Sequence, residues 1–203
     1  MIQSRLTFKN HGIRPKTLIT GLFLLICLGL TFNASAFDIT AEAGQYDPNE
    51  GIVRDLFKTS FVYSLKLNYK YYESFDWVFS LANQYMENRV ASLETELTLN
   101  YLNAGFEKRL MGPANYDFII PFVGAGFSKI QIVEVLENET TDKKSSAETT
   151  YVNGSFWEIG LLVRVFSQSW IEVRIAEQNI QKDVLGNIHL GGRISSLGVR
   201  LGF

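Results

Sequence analysis

Phe61-Val62-Tyr63-Ser64-Leu65-Lys66-Leu67-Asn68-Tyr69-Lys70-Tyr71 decides the fold. Successive side chains of a strand point to opposite sides, so Phe61, Tyr63, Leu65, Leu67, Tyr69 and Tyr71 share one face, and Ser64, Lys66, Asn68 and Lys70 the other. In a water-soluble sheet the apolar face is the core. In a membrane barrel it meets lipid, and the polar face turns to the lumen. No run of 18 apolar residues follows Phe37, which excludes an ordinary transmembrane helix and leaves strands as the way across a bilayer.

The same period continues on both sides of this stretch. Trp157, Ile159, Leu161, Val163 and Val165 alternate with Glu158, Gly160, Leu162 and Arg164; Ser167-Gln168-Ser169 turns the chain; Ile171, Val173 and Ile175 alternate with Glu172, Arg174 and Ala176. The chain closes with Leu197, Val199, Leu201 and Phe203 on one face and Ser196, Gly198, Arg200 and Gly202 on the other. The pattern gives strands near 37–46, 60–71, 76–86, 92–109, 117–133, 152–166, 170–179 and 189–203: an all-β, eight-stranded antiparallel transmembrane barrel. Short turns at 72–75, 110–116 and 167–169 face the periplasm, and 47–59, 87–91, 134–151 and 180–188 face outward. Leu97, Leu99 and Tyr101 read as outward before the phase slips to Leu102, Ala104 and Phe106, so a bulge is expected near Asn103. Pro121 cannot donate to a ladder and belongs near a strand start or at a bulge.

The N-terminus carries Arg5, Lys9, Arg14 and Lys16, then an apolar run from Leu18 to Phe32, then Ala34-Ser35-Ala36. This is the order of a cleavable export signal spanning residues 1–36, with cleavage after Ala36 and a barrel domain over residues 37–203. Ile26 precedes Cys27 where a lipoprotein signal has a small residue, so ordinary cleavage is the better reading. Removing the leader leaves 15 basic against 21 acidic residues, a formal charge of −6, and no cysteine. Such a chain has no basic footprint for nucleic acid and neither disulfides nor thiolate metal ligands. No cofactor is implied.

Aromatic residues gather beside the turns: Tyr69, Tyr71, Tyr72, Phe75 and Trp77 at the first, Tyr116 and Phe118 at the second, Phe166 and Trp170 at the third. Amphipathic rings prefer the headgroup level, so these form an inner girdle.

The leader, the segment Pro121-Phe122-Val123-Gly124-Ala125-Gly126-Phe127 and the closing Leu197-Gly198-Val199-Arg200-Leu201-Gly202-Phe203 together resemble the small outer-membrane barrels typified by the OmpA membrane domain and OmpX. The resemblance covers nearly the whole mature chain and is one of architecture. It implies a monomer in bacterial outer-membrane lipid, with Phe203 read by the barrel-assembly machinery. It implies no activity.

With these phases the lumen receives Glu42, Lys66, Lys70, Glu94, Glu96, Glu158, Arg164, Glu172, Arg174 and Arg200. On the lipid side a midplane Lys or Arg costs roughly 2–4 kcal/mol, whereas inside a narrow barrel the charges pair. The expected role is an ion-pair plug; a charged pathway or gate is the alternative. A lipid A deacylase or acyltransferase needs a histidine to take a serine proton. The mature chain offers only His189, with Ser195 and Ser196 beyond it, and Arg174-Ile175-Ala176-Glu177-Gln178-Asn179 lacks the His-x-Ser-Asn pattern a deacylase would show there. Asp47-Pro48-Asn49-Glu50-Gly51 starts like a calcium loop, but the carboxylate spacing does not continue. The polar segment from Glu134 to Tyr151 reads as an exposed, unordered loop, and loops on a rigid barrel are where an extracellular ligand would be met.

Overall fold

The structure, a computed structural model, describes residues 37–57, 60–72, 74–90, 93–110, 118–138, 143–180 and 189–203. The expected leader and its cleavage position at Ala36 lie outside them, as does Tyr116.

Among these residues the chain forms eight antiparallel strands: β1 (Phe37–Pro48), β2 (Ser60–Tyr72), β3 (Phe75–Val90), β4 (Leu93–Arg109), β5 (Ile119–Asn138), β6 (Lys143–Phe166), β7 (Ser169–Ile180) and β8 (Gly192–Gly202). A short helix, α1 (Gly51–Phe57), follows β1. Each strand pairs with its neighbours in sequence and β1 closes on β8, from Asp38↔Gly202 to Pro48↔Gly192. Closure leaves no sheet edge in the barrel wall, which is why alternating strands can stand in lipid with every ladder group paired.

The two faces of the wall differ in chemistry. Tyr63, Phe79, Leu102, Phe127, Trp157, Val173 and Leu197, on seven different strands, are exposed. An exterior of this kind is stable only against lipid. The interior is filled in layers. At the end where β1 starts and β8 stops lie charged residues and a small cluster of Ile120, Phe122 and Leu162. Hydroxyls and amides follow: Tyr101 donates to Gln84 (2.8 Å), Gln84 to Ser60 (3.1 Å) and Asn103 to Ser80 (3.0 Å). The far end is apolar, with Tyr46, Met86, Leu97, Leu99, Ile130 and Ile132 in one buried cluster. Val53 of α1 is buried in that cluster, and Phe57, one helical turn further on, packs against it. The segment expected as a plain outer loop at 47–59 therefore carries a helix that caps the barrel. Arg54 fastens it, pairing with Asp47 (3.0 Å) and donating to the Pro48 carbonyl (2.8 Å).

Two expectations are corrected. β4 pairs with β3 and β5 without any register shift, so there is no bulge at Asn103. Leu97, Leu99 and Tyr101 instead point inward in phase with Asn103, Gly105 and Glu107, because the far half of the lumen is itself apolar. The shifts that do occur lie between Lys70 and Tyr72, Glu134 and Leu136, and Arg164 and Phe166.

The second correction concerns the polar segment 134–151. β5 and β6 continue their pairing through it, from Glu134↔Glu148 to Asn138↔Lys143, as a projecting hairpin. Backbone pairing propagates from the barrel below and needs no apolar burial of its own. Connection length does not separate the two ends: two of the four far-end connections, at 91–92 and 139–142, are short, and 110–118 is the longest at the near end.

Candidate functional site

The inward residues of β1, β2, β4, β6, β7 and β8 converge on one ion-pair network. Arg200 of β8 donates to both carboxylate oxygens of Glu107 on β4 (2.8 and 2.9 Å) and to Glu172 of β7 (2.8 Å). Arg174 of β7 pairs with Glu158 of β6 (2.7 Å) and Glu42 of β1 (2.5 Å). Lys66 of β2 joins the two groups: it bonds Glu172, donates to Glu107 (3.2 Å) and stands 3.7 Å from Glu42. The Lys66 ammonium also lies 5.0 Å from the Phe122 ring centroid, and the Arg200 guanidinium 5.5 Å. All seven charged side chains are buried.

Hydroxyls complete the shell. Thr40 donates to Glu172 (3.3 Å), Ser64 to Glu42 (3.0 Å), and Ser196 lies 3.2 Å from both Glu42 and Arg174. Two glycines make the room. A Cβ on Gly198 would fall 2.7 Å from Glu42 Cγ and from the Ala41 carbonyl; one on Gly124 would fall 2.8 Å from Glu158 Cγ. Bare backbone on the neighbouring strands is what lets these carboxylates turn inward.

Two further pairs lie towards the near end of the barrel, where β1 starts: Lys70 with Asp38 (3.0 Å) and Arg109 with Asp76 (2.9 Å). Of the ten charges expected inside, Glu42, Lys66, Glu158, Glu172, Arg174 and Arg200 come together in the central network. Lys70 sits at its edge. Arg164 lies at the same end, its guanidinium 5.8 Å from the Trp170 ring. Glu96 is a correction: it stands on the outward side beside the Tyr85 hydroxyl, because the unbroken phase of β4 puts even-numbered residues outside. The Glu94 side chain lies outside the described residues. Sequence reasoning missed Asp38, Asp76, Glu107 and Arg109. Strict period two along β4 would have found Glu107 and Arg109, and Asp38 shares the phase of Glu42.

No family model matches the chain, and no curated protein matches it. Among solved structures, the Neisserial surface protein A (NspA) is similar over 85% of this chain and all of its own, with 17% identity and a TM-score of 0.59. OprG of Pseudomonas aeruginosa is similar over 84% of this chain and 97% of its own, at 13% identity and a TM-score of 0.61. Ail of Yersinia pestis, the attachment invasion locus protein, is similar over 82% and 98%, at 10% identity and a TM-score of 0.51. The fold is that of the small eight-stranded outer-membrane barrels.

In this barrel the candidate catalytic residues do not form a unit. His189 lies in the exposed approach to β8, its backbone N–H donating to Glu50 (2.5 Å). Ser196 is turned into the lumen and held by Glu42 and Arg174, while Ser195 faces out. The residues before β8 brace the far-end cap instead: Asn49 donates its N–H to the Gly191 carbonyl (3.0 Å), and the Tyr46 hydroxyl bonds the Leu190 carbonyl.

Proposed function

We infer that this outer-membrane barrel is a noncatalytic structural or surface-interaction protein. A leader ending at Ala36 directs its export, and the assembly machinery reads Phe203. The observation carrying this reading is the lumen. A bidentate arginine, a second arginine and a lysine tie four carboxylates across its width, and an apolar layer under α1 closes the other end. An eight-stranded barrel has an interior just wide enough for its own side chains. The charges hold the wall together and leave no polar path through it, so the plug reading is favoured over a gate. The working surface is then the projecting β5–β6 hairpin and the far-end connections, which meet an extracellular ligand while the barrel stands as a monomer in lipid.

The second reading, lipid modification through His189, has against it the placement of Ser196 within the ion-pair network. Comparing lipid A acylation in cells with and without the protein tests the choice. Identical profiles are expected. A difference that disappears in His189→Ala would overturn the noncatalytic reading in favour of an enzyme.

A further inference from the structure

At the far end of the wall the pairing of β2 and β3 starts only at Phe61↔Tyr85, although β3 continues to Val90 on its other side. Among the described residues only Ser60 of β2 lies beyond that point, paired with Tyr46 of β1, and a cleft of about 470 Å³ opens between the start of β2, the far part of β3 and Phe57 of α1. The volume lies within the roughly 300–1,000 Å³ of small-molecule sites. Its lining comes from both sides of the wall. Phe61, Tyr63 and Tyr85 belong to the exterior, whereas Met86 and Ser60 are buried and point inward. Phe57 of α1 forms its roof, and Met86 and Phe57 both belong to the apolar plug.

The exterior beside this cleft departs from its surroundings. On β3 to β6 the outward face turns polar along one registered row: Asn83 donates to Asn100 (2.8 Å), Asn100 to Gln131 (3.3 Å) and Gln131 to the Tyr151 oxygen (3.1 Å). On the other side of β2, Gln45 stands opposite Phe61. Between these polar neighbours β2 keeps Tyr63 and Phe61, each 61% exposed. The aromatic exterior therefore continues past this polar row at the β2–β3 pair, where Phe61 stands opposite Tyr85 and both line the cleft.

We propose that the cleft between β2 and β3, roofed by α1, binds the acyl chain of a lipid from the surrounding leaflet. Tyr63 and Phe61 form the track by which the chain leaves the bilayer, and Met86 is the surface against which it ends. Continuity with the lipid-facing wall identifies the source, since the cleft is reached along apolar side chains on the outside. Of the polar residues of the lining, the exposed Glu87 lies furthest out along β3, where a headgroup would remain in water.

The thiol chemistry of the chain gives a direct test, because Cys27 is its one cysteine. In a Cys27→Ser background the full protein carries Met86→Cys, Ser60→Cys, Ile132→Cys or Leu197→Cys and is reconstituted into dioleoylphosphatidylcholine vesicles. Folding of each variant is checked by its heat-sensitive electrophoretic mobility. Ile132 belongs to the same buried apolar cluster away from the cleft, and Leu197 is an exposed wall residue. Dodecyl maleimide dissolved in the bilayer should label Met86→Cys and Ser60→Cys several-fold faster than Ile132→Cys and approach the rate at Leu197→Cys. A sulfonated, water-soluble maleimide should leave both slow. Adding Phe61→Ser and Tyr63→Ser should slow the dodecyl reagent at Met86→Cys and leave Leu197→Cys unchanged. The proposal is overturned if Met86→Cys and Ser60→Cys react no faster than Ile132→Cys. Equal labelling by the water-soluble reagent also overturns it, since the cleft would then open to water.

Discussion

Arg200 on β8 and Glu107 on β4 face each other across the barrel and share two parallel N–H···O bonds of 2.8 and 2.9 Å, both side chains fully buried. Planar guanidinium and carboxylate match at two points, so the pair fixes the distance between opposite walls as well as their charge. Arg200→Met removes the donors and leaves Glu107 and Glu172 to share Lys66 as their one remaining cation. Breaking a buried pair in this way costs about 3–5 kcal/mol, partly relieved where water can enter. Urea unfolding in detergent should show that loss. Arg193→Met, whose contact with Glu177 is long (3.8 Å) and exposed, should change stability by at most about 1 kcal/mol. Similar effects at the two positions would mean that the network carries no special stability.

Gly198 has a more local role. Its missing Cβ leaves space for Glu42 Cγ and the Ala41 carbonyl, and the carbonyl cannot move without disturbing the β1–β8 ladder. Gly198→Val should therefore cost about 1–3 kcal/mol as overpacking and lower the yield of folded barrel. Gly51→Ala is the control: beyond its chain neighbours and its own helix backbone nothing lies within 4 Å of the point its methyl group would occupy, and the change should stay within about 1 kcal/mol.

How much of this was legible in the sequence follows from which residues obey one rule per face. β2 shows apolar residues outside and Lys66, Asn68 and Lys70 inside, so its reading fixed both the strand and its lumen charges. β4 does not. Leu97, Leu99 and Tyr101 lie inside because the far half of the lumen excludes water, and an apolar lumen layer looks in sequence like a lipid-facing stripe. Assuming a polar lumen throughout moves Glu96 to the wrong face and hides Glu107. The extent of β5 and β6 escapes the sequence for a different reason. Ladder pairing needs no alternation of polarity, so a polar strand leaves little signal.

The same layering bears on permeability. A charged layer, an amide and hydroxyl layer and an apolar layer lie in series, and an ion would have to displace side chains in each. The purified protein should show no steady porin-like conductance in a planar bilayer. Arg174→Ala, which takes from Glu42 and Glu158 the arginine they share and leaves them only the more distant Lys66, should admit at most brief openings, because the apolar layer under α1 remains. A large, stable conductance from the unaltered protein would refute the plug.

Sidedness can be read with thiols. Thr149 on the projecting hairpin and Gln168 in the β6–β7 turn are both exposed and lie at opposite ends of the barrel. In a Cys27→Ser background, a membrane-impermeant maleimide added to intact cells should label Thr149→Cys and spare Gln168→Cys until the outer membrane is opened. The reverse result would show the barrel inserted the other way round.

The final prediction concerns the seam. Phe203 stacks on Phe37 with ring centroids 5.3 Å apart, and its N–H donates to the Phe37 carbonyl (3.1 Å), so the last residue of the chain closes on the first residue of β1. In the folded barrel that contact is small beside the eleven paired positions from Asp38↔Gly202 to Pro48↔Gly192. Deleting Phe203 should therefore lower unfolding stability only slightly once the barrel has formed. During insertion the ladder does not yet exist, and it is at this stage that the proposed reading of Phe203 by the assembly machinery would act. Deletion should accordingly reduce the amount of folded barrel in cells far more than it reduces the stability of purified, refolded protein. If both fall together, the role of Phe203 lies in the seam; if neither falls, it has no part in assembly.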